Sequence, residues 1–474
     1  MSDSSSILRA LPSVDELLRQ PELAPLFQRA LQCGGARARK ELAARHIDGL
    51  RRAVREQKLD RAALERALEP QAQYRTLEAL LLREEGAGLR RCVNATGVVL
   101  NTGLGRAPVH PEVAERMAEV ARSYCVLEVD RWTNERNQRD DRLGALLTRL
   151  TGAEAAIAVN NCAAAVMLIF QTFAGGREAL VSRGELVEIG GSFRVPDVMA
   201  RAGARLVEVG TTNRTRIADY ERAITERTGL LMKVHTSNYR VIGFTEEATP
   251  QELAALARSK GVISAFDLGS GLLEDDSMRP IAPVLGDEPL LGTALESGVD
   301  VVSFSGDKLL GAPQAGILIG RRAAISALRK NPLYRALRLD KVTLVGLEAT
   351  LELILAGRGD ELPVRRMLLE PAQAIQPRAQ ALAERIAALP GCSARVLEDH
   401  SQPGSGSAPG TWIPTFVADV RHERLSAQAL SLALRSARVP VFSRVQDDRV
   451  RLDPRTLLPG DEEDLLAAFV EVTR

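Results

Sequence analysis

The chain has 474 residues, of which 45% are hydrophobic and 26% charged, and its formal net charge is +1. This length allows a large core with smaller appendages, and the near-neutral balance excludes binding to nucleic acid or membrane through overall charge alone. Five scattered cysteines without a Cys-x-x-Cys pair suggest neither a disulfide framework nor a zinc site, no apolar run reaches the ~20 residues of a membrane span, and a polar N-terminus unlike a signal peptide makes the cytoplasm the expected compartment.

Residues 1–88 read as a helical domain. Apolar side chains recur at helical spacing in 14–18 and 47–54, with start signals at Pro12-Ser13 and Gln20-Pro21. Arg37, Arg39, Lys40, Arg45, Arg51, Arg52 and Arg55 follow one another against only Glu41 and Asp48. Such a cluster is either a solvated helix face or a surface that contacts nucleic-acid phosphates.

Residues 89–345 change grammar. Short apolar runs at 155–159, 206–209, 230–234, 262–266 and 299–304 predict strands, and 162–173, 219–225 and 250–259 predict helices between them. Alternation over this length implies an α/β domain around a mostly parallel sheet, with its ligand beyond the carboxyl ends of the strands. Residues 346–474 begin with long helices to about 385. A Gly/Ser/Pro loop at 401–410 follows, then strands at 412–420, 439–445 and 449–452 and helices at 426–437 and 462–472. This is a small α+β domain.

The chemistry gathers at two strand ends. Lys308 follows the 299–304 run in Phe304-Ser305-Gly306-Asp307-Lys308, and Asp267 follows the 262–266 run in Phe266-Asp267-Leu268-Gly269. A lysine desolvated there becomes a usable nucleophile toward an aldehyde. A buried Asp267 can hold a pyridinium nitrogen protonated, and Ser305 is placed for a phosphate. A strand-end Asp followed by a strand-end Ser-x-x-Lys is the order of pyridoxal phosphate (PLP) enzymes with the aspartate-aminotransferase fold. The junction Asn161-Cys162-Ala163-Ala164 places backbone N–H groups at a helix N-terminus, a seat for the cofactor phosphate. Arg106 lies in a glycine-rich stretch that reads either as an anion contact or as a flexible connector. Arg335 and Arg338, three apart on one expected helix face, can clamp an oxyanion. His235, at a strand end, faces either the cofactor or the core.

These residues and several longer segments resemble the bacterial selenocysteine synthases, the L-seryl-tRNA(Sec) selenium transferases. The similarity runs nearly end to end, through Leu11-Pro12-Ser13-Val14-Asp15-Glu16-Leu17-Leu18, Asn94-Ala95-Thr96-Gly97, the run from Ser182 to Arg194, Gly210-Thr211-Thr212-Asn213-Arg214, Asp267-Leu268-Gly269-Ser270-Gly271, the Lys308 segment and Arg335-Ala336-Leu337-Arg338-Leu339-Asp340-Lys341. The resemblance implies a PLP enzyme of fold type I with its cofactor lysine at Lys308 and selenium-donor arginines at Arg335 and Arg338, with Arg106 nearby. It also implies a tRNA-gripping N-terminal domain, selenophosphate as second substrate, and a decamer built as a ring of five dimers with active sites between subunits. Two departures stand out. Asn134-Glu135-Arg136-Asn137-Gln138-Arg139 lacks the family's glycines, which leaves the roles of Arg136 and Arg139 open. Pro403-Gly404-Ser405-Gly406-Ser407 replaces a glycine triplet. The residues alone also admit a PLP lyase acting on a small amino acid, or a non-catalytic tRNA-binding scaffold.

Overall fold

The change of grammar near Cys92 divides the computed structural model into two units, Met1–Arg91 and Cys92–Arg474. The structure describes residues 7–85, 88–189, 193–404 and 406–473. The N-terminal serine run, Gly190-Gly191-Ser192 of the family-like segment, and Ser405 of the C-terminal loop lie outside the described residues.

In the first unit, Ser13 and Glu16 form a capping box that starts the helix Val14–Leu18: the Glu16 amide donates to Ser13 Oγ at 3.2 Å and the Ser13 amide to Glu16 Oε2 at 2.7 Å. The helix Ala24–Arg55 is broken at Gly34 and Gly35, where φ reaches +71° at Gly35. Arg61–Ala67 and Pro70–Glu85 complete the unit, with Leu17, Leu26, Phe27, Ile47, Leu77 and Leu81 in its core. At 3.6 residues per turn the basic residues divide between two sides. Arg37, Lys40, Arg45, Arg51, Arg52 and Arg55 are exposed on one. Arg39 is the exception to the expected face: it points to the opposite, half-buried side, and its Nη2 donates to the Leu18 carbonyl at 3.3 Å. Arg37 and Arg51 are paired along the helix with Glu41 and Asp48, at 2.8 and 2.9 Å.

The second unit is built on a seven-stranded sheet. Its order is Ala155–Val159, Gly316–Gly320, Val301–Ser305, Ile263–Gly269, Thr228–Val234, Glu178–Ser182, Arg205–Val209. Only Gly316–Gly320 runs against the others, so the mostly parallel α/β sheet expected from the sequence is present. Gly316–Gly320 and Glu178–Ser182 were not among the expected strands. Each is five residues of wholly buried chain, too short for periodicity to separate strand from helix. Residues alternate between the two faces. Phe266, Val302 and Phe304 join one cluster with the helices Asp141–Thr151 and Lys341–Leu355, and Ala265 and Val301 join another with Cys162–Ala174.

A six-stranded sheet ends the chain, ordered Val93–Ala95, Val441–Gln446, Arg449–Leu452, Ile413–His422, Cys392–Gly404, Val98–Leu100. Residues 93–100 therefore cap both of its edges and are not a flexible connector. The turn between them is tied by Asn94, whose Oδ1 accepts from the Thr96 hydroxyl at 2.7 Å and whose Nδ2 donates to the Val98 carbonyl at 3.0 Å. The strand Cys392–Gly404 extends into the expected loop, where Gly404 pairs with Leu100. No helix among the described residues is long and apolar enough to cross a membrane.

Candidate active site

Asp267 is inside the strand Ile263–Gly269 rather than at its end. Parallel register sets Ser303 opposite it, and a shift in pairing follows between Ser303 and Phe304. The Ser303 hydroxyl donates to Asp267 Oδ1 at 2.8 Å, and the Cys162 thiol donates to the same oxygen at 3.3 Å. Burial pushes the Asp267 carboxyl above the ordinary carboxylate range, and these two hydrogen bonds, Lys308 and His235 offset that only in part. Burial, then the charge of Asp267, push the Cys162 thiol well up as well, so it stays protonated and serves as a donor. Ser305 stands beside this thiol, on the same sheet face as Ser303. Ser303 was missed from sequence, although its period-two relation to Ser305 was the available signal.

Lys308 is in the turn after Val301–Ser305 and is 5% exposed. Glycine backbone lies on two sides of its amine. A Cβ on Gly269, where φ is +74°, would lie 3.9 Å from Lys308 Nζ. A Cβ on Gly406, where φ is +82°, would lie 2.7 Å from it and 3.0 Å from Cε. Gly406 belongs to the C-terminal loop, nearly a hundred residues away in sequence, and no local pattern pointed to it. The next residue but one, Ala408, donates its amide to the buried Glu288 Oε2 at 2.7 Å.

The arginines arrive by three routes. Arg106, itself in left-handed backbone at φ +62°, donates to Asp307 Oδ2 at 2.9 Å, so it is anchored to the residue before Lys308 and is not held in a free loop. Arg338 is not on the helix face expected for it. The helix Pro332–Leu337 ends first, and Arg338 has extended backbone bridged to Val159. The Asn160 amide donates to the Leu337 carbonyl at 3.0 Å, which brings this segment against the junction that precedes Cys162–Ala174. Arg335 is exposed and has no acidic partner among the described residues. The glycine-poor 134–139 segment acquires a role: Arg136 and Arg139 converge with Arg338 on Glu128. The hydrogen bond from Arg139 is the main reason that carboxyl is held below its ordinary range. Arg139 also donates to the Leu339 carbonyl at 3.0 Å.

At the helix junction, Asn161 Oδ1 accepts the Ala164 amide at 2.8 Å. Ala164, named in the expected cradle, is thus capped from within. The Cys162 and Ala163 amides are left at the helix N-terminus, without intrahelical acceptors. His235 donates its backbone amide to the Asp267 carbonyl at 2.9 Å, and its Nε2 is 3.5 Å from Glu288 Oε2. Burial alone raises the Glu288 carboxyl, but the His235 imidazole, the Ser270 hydroxyl and the Ala408 amide outweigh it and hold the group below its ordinary range. A cavity of about 860 Å³ is lined by His235 and Glu288 but also by Lys233, Glu185, Thr211 and Arg240, and Lys308 and Asp267 are not in its lining.

This arrangement fits PLP. A buried carboxylate takes both of its protein hydroxyl and thiol donors on one oxygen, which suits a ring N–H at the other. An amine faces glycine backbone, where a cofactor and substrate need room. A helix N-terminus and a serine hydroxyl adjoin both, and suit a phosphate.

The L-seryl-tRNA selenium transferase family pattern matches residues 92–458, and the selenocysteine synthase N-terminal pattern matches residues 8–30. An L-seryl-tRNA(Sec) selenium transferase of Aquifex aeolicus is 45% identical over 384 residues, 81% of this chain and 84% of the relative. One of Moorella thermoacetica is 44% identical over 476 residues, 99% and 97% of the two chains. Among solved structures, a D-glucosaminate-6-phosphate ammonia-lyase superposes with a TM-score of 0.56 at 24% identity, over 83% of this chain and 98% of its own, which supports the fold alone. With the family pattern across most of its length and relatives above 40% identity end to end, this chain belongs to the L-seryl-tRNA selenium transferase family.

Proposed function

We propose that this protein converts seryl-tRNA(Sec) to selenocysteyl-tRNA(Sec) in the cytoplasm, with PLP as cofactor and selenophosphate as selenium donor. The observation that carries the reading is the pairing of Lys308, its amine between glycines, with a buried Asp267, in a chain of this family. PLP supplies an electron sink for charge that develops at the seryl α-carbon. Lys308 is its attachment point and, once its amine is free, the base that takes the α-proton. Asp267 holds the ring nitrogen, and Ser305 with the Cys162 and Ala163 amides holds the phosphate. The β-carbon–oxygen bond breaks and the hydroxyl leaves as water. Selenium then bonds to the β-carbon while Lys308 returns a proton to the α-carbon, and water takes the phosphorus, which breaks the selenium–phosphorus bond and releases phosphate. Arg335 and Arg338, with Arg106 near Lys308, hold the selenophosphate oxygens. Single-turnover conversion of seryl-tRNA(Sec) with selenophosphate, beside ordinary seryl-tRNA, tests the reading; equal conversion of both, or of neither, rejects it.

Arg335→Ala should leave exchange of the seryl α-proton with solvent intact while selenium incorporation falls on the order of 10²-fold. Simultaneous loss of the proton exchange would reassign Arg335 to holding the seryl substrate. The exposed basic face of the first unit supports a tRNA-gripping role for Arg37, Lys40, Arg45, Arg51, Arg52 and Arg55. Replacing Arg51, Arg52 and Arg55 with Gln should weaken tRNA binding and flatten its log–log salt dependence by about two. Binding and salt slope equal to those of the parent would make this a solvated face. Exposed Tyr124, Val126 and Trp132, around Glu128, and exposed Ile242 and Phe244 support self-association, for which the proposed form is the ring of five dimers that the family resemblance implies.

A further inference from the structure

Glu288 is 6% exposed and is not a site residue of the proposed reaction, yet it touches three segments that surround Lys308. Its Oε2 accepts the Ala408 amide at 2.7 Å and is 3.5 Å from His235 Nε2, after Thr228–Val234. Glu288 Oε1 and Ser270 Oγ are both buried, and the Ser270 hydroxyl is among the groups that hold the Glu288 carboxyl below its ordinary range. Ser270 in turn accepts the Leu309 amide on its carbonyl at 3.0 Å, one residue beyond Lys308. The bridge from Leu272 to Leu290 fixes the Glu288 segment beside this turn.

Ala408 has φ +42°, in the left-handed region that a residue with a Cβ seldom adopts. Such a conformation persists where surrounding contacts over-determine it. The contacts present are the hydrogen bond from the Ala408 amide to Glu288, the Thr411 amide on the Ala408 carbonyl at 3.2 Å, and packing of Ala408 in the cluster with Leu100, Leu285 and Leu309. Two residues earlier, Gly406 meets Lys308 so closely that a methyl group would overlap Nζ.

We propose that Glu288 is a positioning residue: by holding the Ala408 amide it keeps the Gly406 backbone against the Lys308 side chain, and so confines the amine to the side that faces Asp267. A hydrogen bond made at 408 thereby fixes a wall at 406, and the wall limits where the amine can go. The loss of geometry from an unheld wall bears on the chemical step rather than on tRNA capture.

The test has two arms. In cofactor-free protein, the Ala408 amide should be slow to exchange with deuterium, and Glu288→Ala should speed its exchange about tenfold or more. Glu288→Gln retains a carbonyl acceptor and should keep most of the protection; it also serves if the alanine variant does not fold. In the loaded enzyme, Glu288→Ala should lower kcat by about 10²-fold with little change in KM for seryl-tRNA(Sec), and Glu288→Gln should restore most of the loss. Gly406→Ala should reproduce the kcat loss with Glu288 intact. Gly410→Ala, with equally left-handed φ of +79° but nothing within 4 Å of the added carbon, should not. Unchanged exchange in Glu288→Ala overturns the proposal. So does faster exchange with unchanged kcat, or a Glu288→Gln variant that keeps its protection but loses turnover. The kinetic arm rests on the function proposed above, whose failure would appear as absent turnover in the unaltered protein; the exchange arm does not depend on it.

Discussion

Lys308→Ala should lose turnover by at least about 10³-fold. The same variant, mixed with PLP, should show no visible absorption band that borohydride bleaches, whereas the parent should show one. Both effects follow from one placement. The amine is nearly inaccessible in the folded chain, and the backbone around it comes from Gly269 on the large sheet and Gly406 in the C-terminal loop. No other lysine is described beside Asp267: the other buried one on this sheet, Lys233, is occupied by Glu185 at 2.8 Å and Glu247 at 2.7 Å. Lys308→Arg separates charge from chemistry. It keeps a cation at this position, but guanidinium stays protonated and cannot serve as nucleophile or base, so this variant should be as inactive as alanine. Turnover within tenfold of the parent in either variant would remove Lys308 from the reaction.

Local patterning reached the candidate residues that the large sheet brings together because their signals are local. Asp267, Ser305 and Lys308 each adjoin an apolar run, and a strand in a covered sheet must be apolar. What could not be read was contact across the sequence. Gly406 lies against Lys308 only because Val98–Leu100 pairs with Cys392–Gly404 and brings the C-terminal loop over the large sheet. Arg106 faces Asp307 for a related reason: the 93–100 segment belongs to the C-terminal sheet and delivers the following loop to the Lys308 turn. The sharing of Glu128 by Arg136, Arg139 and Arg338 likewise depends on packing of segments some two hundred residues apart. Even a local reading failed where helix phase mattered. Spacing sets Arg338 on the face of Arg335, but the helix stops at Leu337. Proximity in sequence groups Arg39 with its basic neighbours, whereas phase turns it toward Leu18.

Asp267→Asn should move stability and activity in opposite directions. The carboxyl is buried, and its folded-state pKa is raised above the ordinary value, principally by loss of solvation. A raised carboxyl pKa means that the folded chain binds the proton more tightly than the unfolded chain. Its contribution is therefore fully present below the unfolded value of about 3.9 and is lost as pH rises through the folded value. The amide cannot ionise and does not suffer this loss, and its oxygen still accepts from Ser303 and Cys162. Cofactor-free Asp267→Asn should accordingly match the parent near pH 4 and exceed it at pH 8, by on the order of 1 kcal/mol in denaturant unfolding. Turnover should nevertheless fall by about 10²- to 10⁴-fold, because a neutral amide does not hold a ring nitrogen in its cationic form. The two measurements check different links. A stability difference that is flat between pH 4 and 8 would mean that Asp267 is not penalised by burial in the folded chain. Near-parental turnover would mean that its charge is not used in the reaction. The combination expected here, a carboxylate that costs stability in the empty protein and is required for turnover, is what distinguishes a cofactor ligand from an aspartate that caps the Gly269 turn. A capping aspartate would be stabilising when charged, and its removal would weaken the fold at pH 8 and spare the chemistry.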